Sequence, residues 1–168
     1  MSEKSTHKTY TLEEATQRLM QFCAYRDRSH KEVEQKLSEM RMIPQAREQI
    51  IIQLMQEGFL NEERFARSFV RGKFRIKKWG RIKIKQELKL RDLSEPIIRL
   101  ALTEIEEEQY LQTLQELYEK KQRLVKESDA FKRKKKIADF LLRKGYESHL
   151  VFDQVNSSEG QDRLSCES

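Results

Sequence analysis

The residues able to do chemistry in this chain are mostly cationic, and the chemistry they suit is anion binding. From Arg64 to Arg91 there are twelve Lys or Arg and a single acid, Glu87. At about 100° per residue, Arg64, Arg67, Arg71, Arg75 and Lys78 fall within an arc of roughly 80° on one helix. Phe65, Ala66, Phe69, Val70 and Phe74 fall on the far side. One face is therefore core, and the other is a ladder of guanidinium and ammonium groups. Arg81, Lys85 and Lys89 follow at i, i+4 and i+8 and make a second basic stripe. Like charges at this spacing repel, and helices built only for solubility mix their signs. An unrelieved stripe thus points to an array of anions on a partner. Trp79 lies in a helix break beside Lys78. It could stack on a base or wedge into a protein, but the favoured reading is a plug that sets the angle between two helices, since a lone Trp tends to bury its bulk. It stays among the candidate contact residues beside the cations of the two stripes.

Two other charged segments are less specific. Lys132, Arg133, Lys134, Lys135 and Lys136 are consecutive. They wrap all round a helix, so both a solvated surface and a contact surface remain open. Glu104, Glu106, Glu107 and Glu108 either pair with basic residues of a neighbouring segment or stay exposed.

Catalytic constellations are absent. His7, His30 and His149 are far apart and share no metal-ligand spacing. No phosphate-cradling glycine loop or nucleophile elbow occurs, and no cofactor or metal is expected. A nuclease using Glu106 and Glu107 with a metal would need a pocket signature that the sequence lacks. The chain is not expected to be an enzyme. Cys23 reads as a small core residue and Cys166 lies in a polar tail, so no disulfide framework is expected and a reducing cytoplasm fits. No apolar run is long enough to span a membrane.

The elements that must position these side chains are helices. The chain has 168 residues, 37% charged and 37% hydrophobic, a net charge of +6, five Gly and two Pro. That composition suits thin helical units, each burying one apolar stripe. Thr11 with Glu14, and Ser29 with Glu32, form capping boxes. The first opens a stripe of Leu12, Ala15, Leu19, Phe22 and Cys23, and the second one of Val33, Leu37 and Met40. Pro44 opens a third helix with Ile50, Ile51, Leu54 and Met55 inward, stopped by Gly58. The phrase recurs twice. Asn61, Gly80 and Ser94 punctuate the second round; Glu106, Asp129 and Gly145 punctuate the third, with Tyr110, Leu111, Leu114, Leu117 and Tyr118 in its first stripe. Val33 and Leu37 align with Ile84 and Leu88 and with Ile137 and Leu141, and Ile43, Leu93 and Tyr146 follow as turn residues. A period of roughly 50 residues signals tandem repeats. The expected fold is all-α: three tandem three-helix units at 10–58, 59–105 and 106–156 in an elongated, curved array, with disordered ends at 1–9 and 157–168.

The second round carries a family resemblance. The stretch Phe59-Leu60-Asn61-Glu62-Glu63-Arg64-Phe65-Ala66-Arg67-Ser68-Phe69-Val70-Arg71, continuing through Lys73, Gly80, Ile84, Glu87 and Leu88, resembles the signature of the bacterial RecX family. The resemblance spans roughly residues 10–156, with the outer units matching in pattern. A glycine common in the family after the Glu-Leu helix is Asp92 here, Met42 in the first unit, and is kept as Gly145 in the third. The resemblance implies a monomeric, cytoplasmic regulator of the RecA recombinase in DNA recombination, repair and the SOS response. Members bind the RecA filament on DNA along its groove, inhibit ATP hydrolysis and strand exchange, or promote disassembly. DNA would then be met through the filament. The alternative is an autonomous basic helical module that binds DNA or RNA directly.

Overall fold

The computed structural model describes residues 8–157. Its helices are α1 (Leu12–Tyr25), α2 (His30–Glu39), α3 (Pro44–Gln56), α4 (Glu62–Lys77), α5 (Arg81–Lys89), α6 (Glu95–Leu102), α7 (Glu107–Leu124), α8 (Ala130–Lys144) and α9 (Ser148–Ser157). No strand occurs among the described residues. Each helix packs on others of its own triplet, α1 with α2 and α3, α4 with α5 and α6, α7 with α8 and α9. The chain is an all-α array of three three-helix units. The polar ends, including His7 and Cys166, lie outside the described residues, and Ser157 closes α9.

Local chemistry explains the helix starts. Thr11 and Ser29 accept from the backbone N–H of Glu14 and Glu32, whose carboxylates accept from the cap backbone in return. Asn61 and Asp129 accept from the N–H groups of Arg64 and Lys132 at 2.8 Å each. Pro44 occupies the first turn of α3, where its missing N–H costs no intrahelical bond.

The same local closure ends the second helix of every unit. The N–H of Met42, Leu93 and Tyr146 donates to the carbonyl five residues back, on Leu37, Leu88 and Leu141. The residue before each is left-handed: Arg41 at φ 57°, Asp92 at 61° and Gly145 at 94°. This is the six-to-one closure of a Schellman turn. It corrects the register of the first unit by one residue. Arg41, and not Met42, stands in the glycine position, and Met42 is the buried turn residue, whereas Ile43 is exposed. The aligned pairs Val33/Leu37, Ile84/Leu88 and Ile137/Leu141 are all buried. Leu12, Met55 and Leu111 are exposed instead of inward. Met55 and Leu111 sit one position past buried Leu54 and Tyr110, about 100° round the helix. Leu12 stands in the first turn of α1, where its stripe runs out.

The buried residues form two bodies. Ala15, Leu19, Val33, Leu37, Ile50 and Leu54 centre the first, which unit 1 builds together with Phe59 and Leu60 of the α3–α4 link. The second runs without a break from Phe65 to Val155 through units 2 and 3. Their seam is backbone against backbone. Gly80 N donates to Lys144 O at 2.8 Å, and Ile82 N to Gly145 O at 3.0 Å. A Cβ on Gly80 would lie 2.2 Å from Gly145 O and 2.4 Å from Tyr146 N. Tyr110 completes the seam: its hydroxyl accepts from Arg81 N at 3.0 Å and donates to Glu147 Oε2 at 2.5 Å. Burial and the neighbouring Glu147 carboxylate raise its pKa far above the ordinary phenol value, so it stays a donor. Units 2 and 3 are thus one packed body, while unit 1 meets unit 2 through polar contacts: His30 faces Glu62 at 3.5 Å, Lys31 pairs with Asp92 at 3.0 Å, and Asp27 meets Arg64 at 2.7 Å.

Candidate cationic interface

The α4 ladder is built as its pattern implies. Glu62 and Glu63 sit in the first turn and Arg75 and Lys77 in the last, each sign matched to the helix dipole. Phe65, Ala66, Val70 and Phe74 are buried behind it. The expectation that the ladder is unrelieved is not met. Arg64 Nε donates to Asp27 at 2.7 Å, and its terminal nitrogens donate to the carbonyls of Gly58 at 3.0 Å and Phe59 at 3.2 Å. Ser68 donates to the other Asp27 oxygen at 2.8 Å. Arg64 therefore ties the α3–α4 link to unit 1. Burial opposes the charge on Asp27, but the hydrogen bonds from Arg64 and Ser68 outweigh it and hold its carboxyl below the usual range.

Further along, Arg67 bridges Glu63 at 2.9 Å and Glu104 at 2.6 Å, and Arg71 takes the second Glu104 oxygen at 2.9 Å. Hydrogen bonds from Arg71 and Arg67 lower the Glu104 pKa. Glu104 thus pairs inside its own unit, not across a junction. Glu107 does cross one: Arg81 meets it at 2.6 Å, meets Glu147 at 3.9 Å, and lies 4.0 Å from the Tyr110 ring centroid. In the second stripe, Lys85 and Lys89 both pair with Glu95, the latter at 3.2 Å. Asp27, Glu104, Glu107 and Glu147 come from distant sequence positions, so a window reading could not see them, whereas Glu63 and Glu95 lie within ten residues of the cations they pair with. Of the nine candidate residues, Arg75, Lys78 and Trp79 make no ion pair among the described residues.

Trp79 is half-buried against the shared core, as a plug should be. Its ring also carries two cations: Lys73 Nζ lies 4.8 Å and Lys83 Nζ 4.6 Å from the centroid. The Phe140 ring nearby has Lys121 Nζ at 4.9 Å and Lys144 Nζ at 5.9 Å. Sequence patterning does not single out these lysines, because they sit on four helices and converge only once units 2 and 3 are packed. In α8, Lys136 is paired with Glu127 at 2.8 Å, so that basic run is partly a neutralised surface. No cluster of three or more His, Cys, Asp or Glu able to hold a metal occurs among the described residues, and no helix there is long and apolar enough to cross a membrane.

Comparison with known proteins agrees with this architecture. Residues 61–102 match the model of the RecX second three-helix domain, and residues 107–154 that of the third; together they take in more than half of the chain. "Regulatory protein RecX" of Oceanobacillus iheyensis is 30% identical over 97% of this chain and 59% of its own length. The protein of the same name from Clostridium perfringens strain 13 is 34% identical over 77% of this chain, again 59% of its own length. The chain thus spans about three fifths of the length of these relatives. Two crystal structures share the fold: a regulatory protein RecX (TM-score 0.79, 23% identity, 87% of this chain and 71% of that one) and RecX from Lactobacillus salivarius (TM-score 0.78, 22% identity, 87% and 95%). With both three-helix domains matched in order, and with similarity to proteins named as regulators running along nearly all of its residues, the chain belongs to the RecX family.

Proposed function

We propose that this chain regulates the RecA recombinase by binding its filament on DNA and inhibiting ATP hydrolysis and strand exchange. Family membership carries the reading, and the α4 face supports it. Arg67, Arg71, Glu63 and Glu104 form a pre-ordered, part-exposed charge network on the rigid body of units 2 and 3. Arginine is enriched at protein interfaces, and a network already ordered loses less side-chain entropy on docking. Arg64, by contrast, is engaged in tying unit 1 to unit 2 and serves the interface by orienting it. Inhibition by this route needs no active site in the chain. It needs tighter binding to one filament state than to the others, since a ligand shifts an equilibrium only by its differential affinity.

The test is co-sedimentation of the chain with RecA assembled on single-stranded DNA, beside RecA alone and DNA alone. Retention by the assembled filament at least tenfold above either component is expected. Equal retention by naked DNA and by the filament would instead favour the autonomous nucleic-acid module.

A further inference from the structure

Near the seam of units 2 and 3, lysines from four helices converge. Lys73 and Lys77 come from the end of α4, Lys83 from α5, Lys120 from α7 and Lys144 from α8. None of them has a carboxylate partner among the described residues, whereas Arg64, Arg67 and Arg71 of the neighbouring ladder are bridged by Asp27 and Glu104. Lys73 Nζ and Lys83 Nζ lie over the half-buried Trp79 ring, and Lys144 Nζ lies over the half-buried Phe140 ring, while Lys77 and Lys120 stand close enough to Lys144 for their charges to act on it. The Lys144 ammonium donates to Lys77 O at 3.0 Å, which fixes it beside the α4 terminus. Burial lowers its pKa, and the positive charges of Lys83, Lys120 and Lys77 lower it further. Unrelieved like charges held together by the fold cost stability, and a polyanion is what relieves them.

We infer that this lysine cluster at the seam of units 2 and 3 is a direct binding surface for the phosphate backbone of single-stranded nucleic acid. Its chemistry favours phosphate over an acidic protein. Lysine is depleted in protein interfaces, while a point charge on a flexible stem adapts to phosphates whose spacing varies along a strand. Such binding releases counterions and is sequence-independent. The α4 arginine network and the seam lysines then have separate partners, protein and DNA. The inference extends the filament reading by naming the residues that meet DNA. Its test uses naked DNA, so either can fail while the other stands.

The measurement is fluorescence anisotropy of a labelled oligo-dT strand titrated with the full chain across a salt series. The unmodified chain is expected to bind, with log K falling linearly in log salt. Lys73→Gln with Lys83→Gln and Lys120→Gln is expected to weaken binding at least tenfold at about 100 mM salt. The slope should fall by about 2, at roughly 0.7 for each phosphate left without its lysine. An equal change in charge elsewhere, Lys132→Gln with Arg133→Gln and Lys135→Gln, is expected to weaken binding no more than about threefold. If the seam triple loses helix content, the double Lys73→Gln with Lys120→Gln replaces it, with a slope change of about 1.4. Equal weakening by the seam and α8 triples would overturn the inference in favour of diffuse charge. So would loss of filament inhibition with unaltered oligonucleotide binding, which would assign the cluster to acidic protein surface. No binding by the unmodified chain would overturn it outright.

Discussion

Replacing Gly80 by alanine is expected to destabilise the joined second and third units by about 3 kcal/mol. The residue has an ordinary φ of −76°, so conformational freedom is not the reason it is glycine. Space is. An added methyl would meet the Gly145 carbonyl at 2.2 to 2.3 Å and Tyr146 N at 2.4 Å, and all three atoms are backbone. Backbone at a seam cannot turn aside as a side chain would. The units must separate locally, and the bonds from Gly80 N to Lys144 O and from Ile82 N to Gly145 O are strained or broken with them. Exchanging Gly for Ala at an N-cap costs about 1 kcal/mol or less by itself, so a loss near 3 kcal/mol reports the clash. The internal comparison is Gly72→Ala in mid-α4, where nothing lies within 4 Å of the new methyl. That variant is expected to gain up to about 1 kcal/mol through helix propensity. Thermal unfolding checks both: Gly80→Ala should lower Tm by roughly 6–12 °C and Gly72→Ala should leave it level or raise it. A Gly80 variant within about 1 kcal/mol of the parent would show that the seam is looser than its geometry.

The second large effect concerns the arginine network. Arg67→Glu with Arg71→Glu is expected to keep the helix, since Phe65, Ala66, Val70 and Phe74 still bury the other face of α4. Exposed bridges contribute little to stability, about 0–1 kcal/mol each. Affinity for the RecA filament is expected to fall at least tenfold, because two charges presented to the partner change sign and like-charge juxtaposition is penalised at an interface. Local repulsion against Glu63 and Glu104 is the competing explanation. Adding Glu104→Arg separates them. This third change restores pairing within the chain with its polarity reversed. If the guanidiniums of α4 face the partner, the triple variant stays defective. Recovery of filament inhibition by the triple would make the network a structural element only. Both variants can be read in one competition assay against the unmodified chain.

Local features are the ones legible in the sequence. Thr11/Glu14 and Ser29/Glu32 announce helix starts because a capping box closes within four residues. The pairs Val33/Leu37, Ile84/Leu88 and Ile137/Leu141 announce the buried face because they lie one helical turn apart. The turn register of unit 1 is misread from the sequence for an instructive reason. Arginine is a poor left-handed residue, so Arg41 gives no signal, and the closure from Met42 to Leu37 becomes visible only as a hydrogen bond. The basic ladder is legible as a stripe but not as a network. Asp27 and Glu104, which bridge its arginines, lie 33 to 37 residues away. Gly80 and Gly145 read as punctuation at helix ends. Their meeting across the seam follows from packing α5 against the α8–α9 turn. The lysine cluster round Trp79 is the same kind of feature, assembled from four helices and absent from any window.

Regulation of RecA is the central claim, and one assay reaches it most directly: the rate of ATP hydrolysis by RecA on single-stranded DNA, measured as the unmodified chain is added to assembled filaments. The expected result is a saturable fall in rate, half complete at a chain concentration below that of RecA protomers and abolished in the Arg67→Glu, Arg71→Glu variant. An ATPase rate that stays level while the chain is shown to bind the DNA would contradict regulation of RecA and leave a nucleic-acid-binding protein in its place.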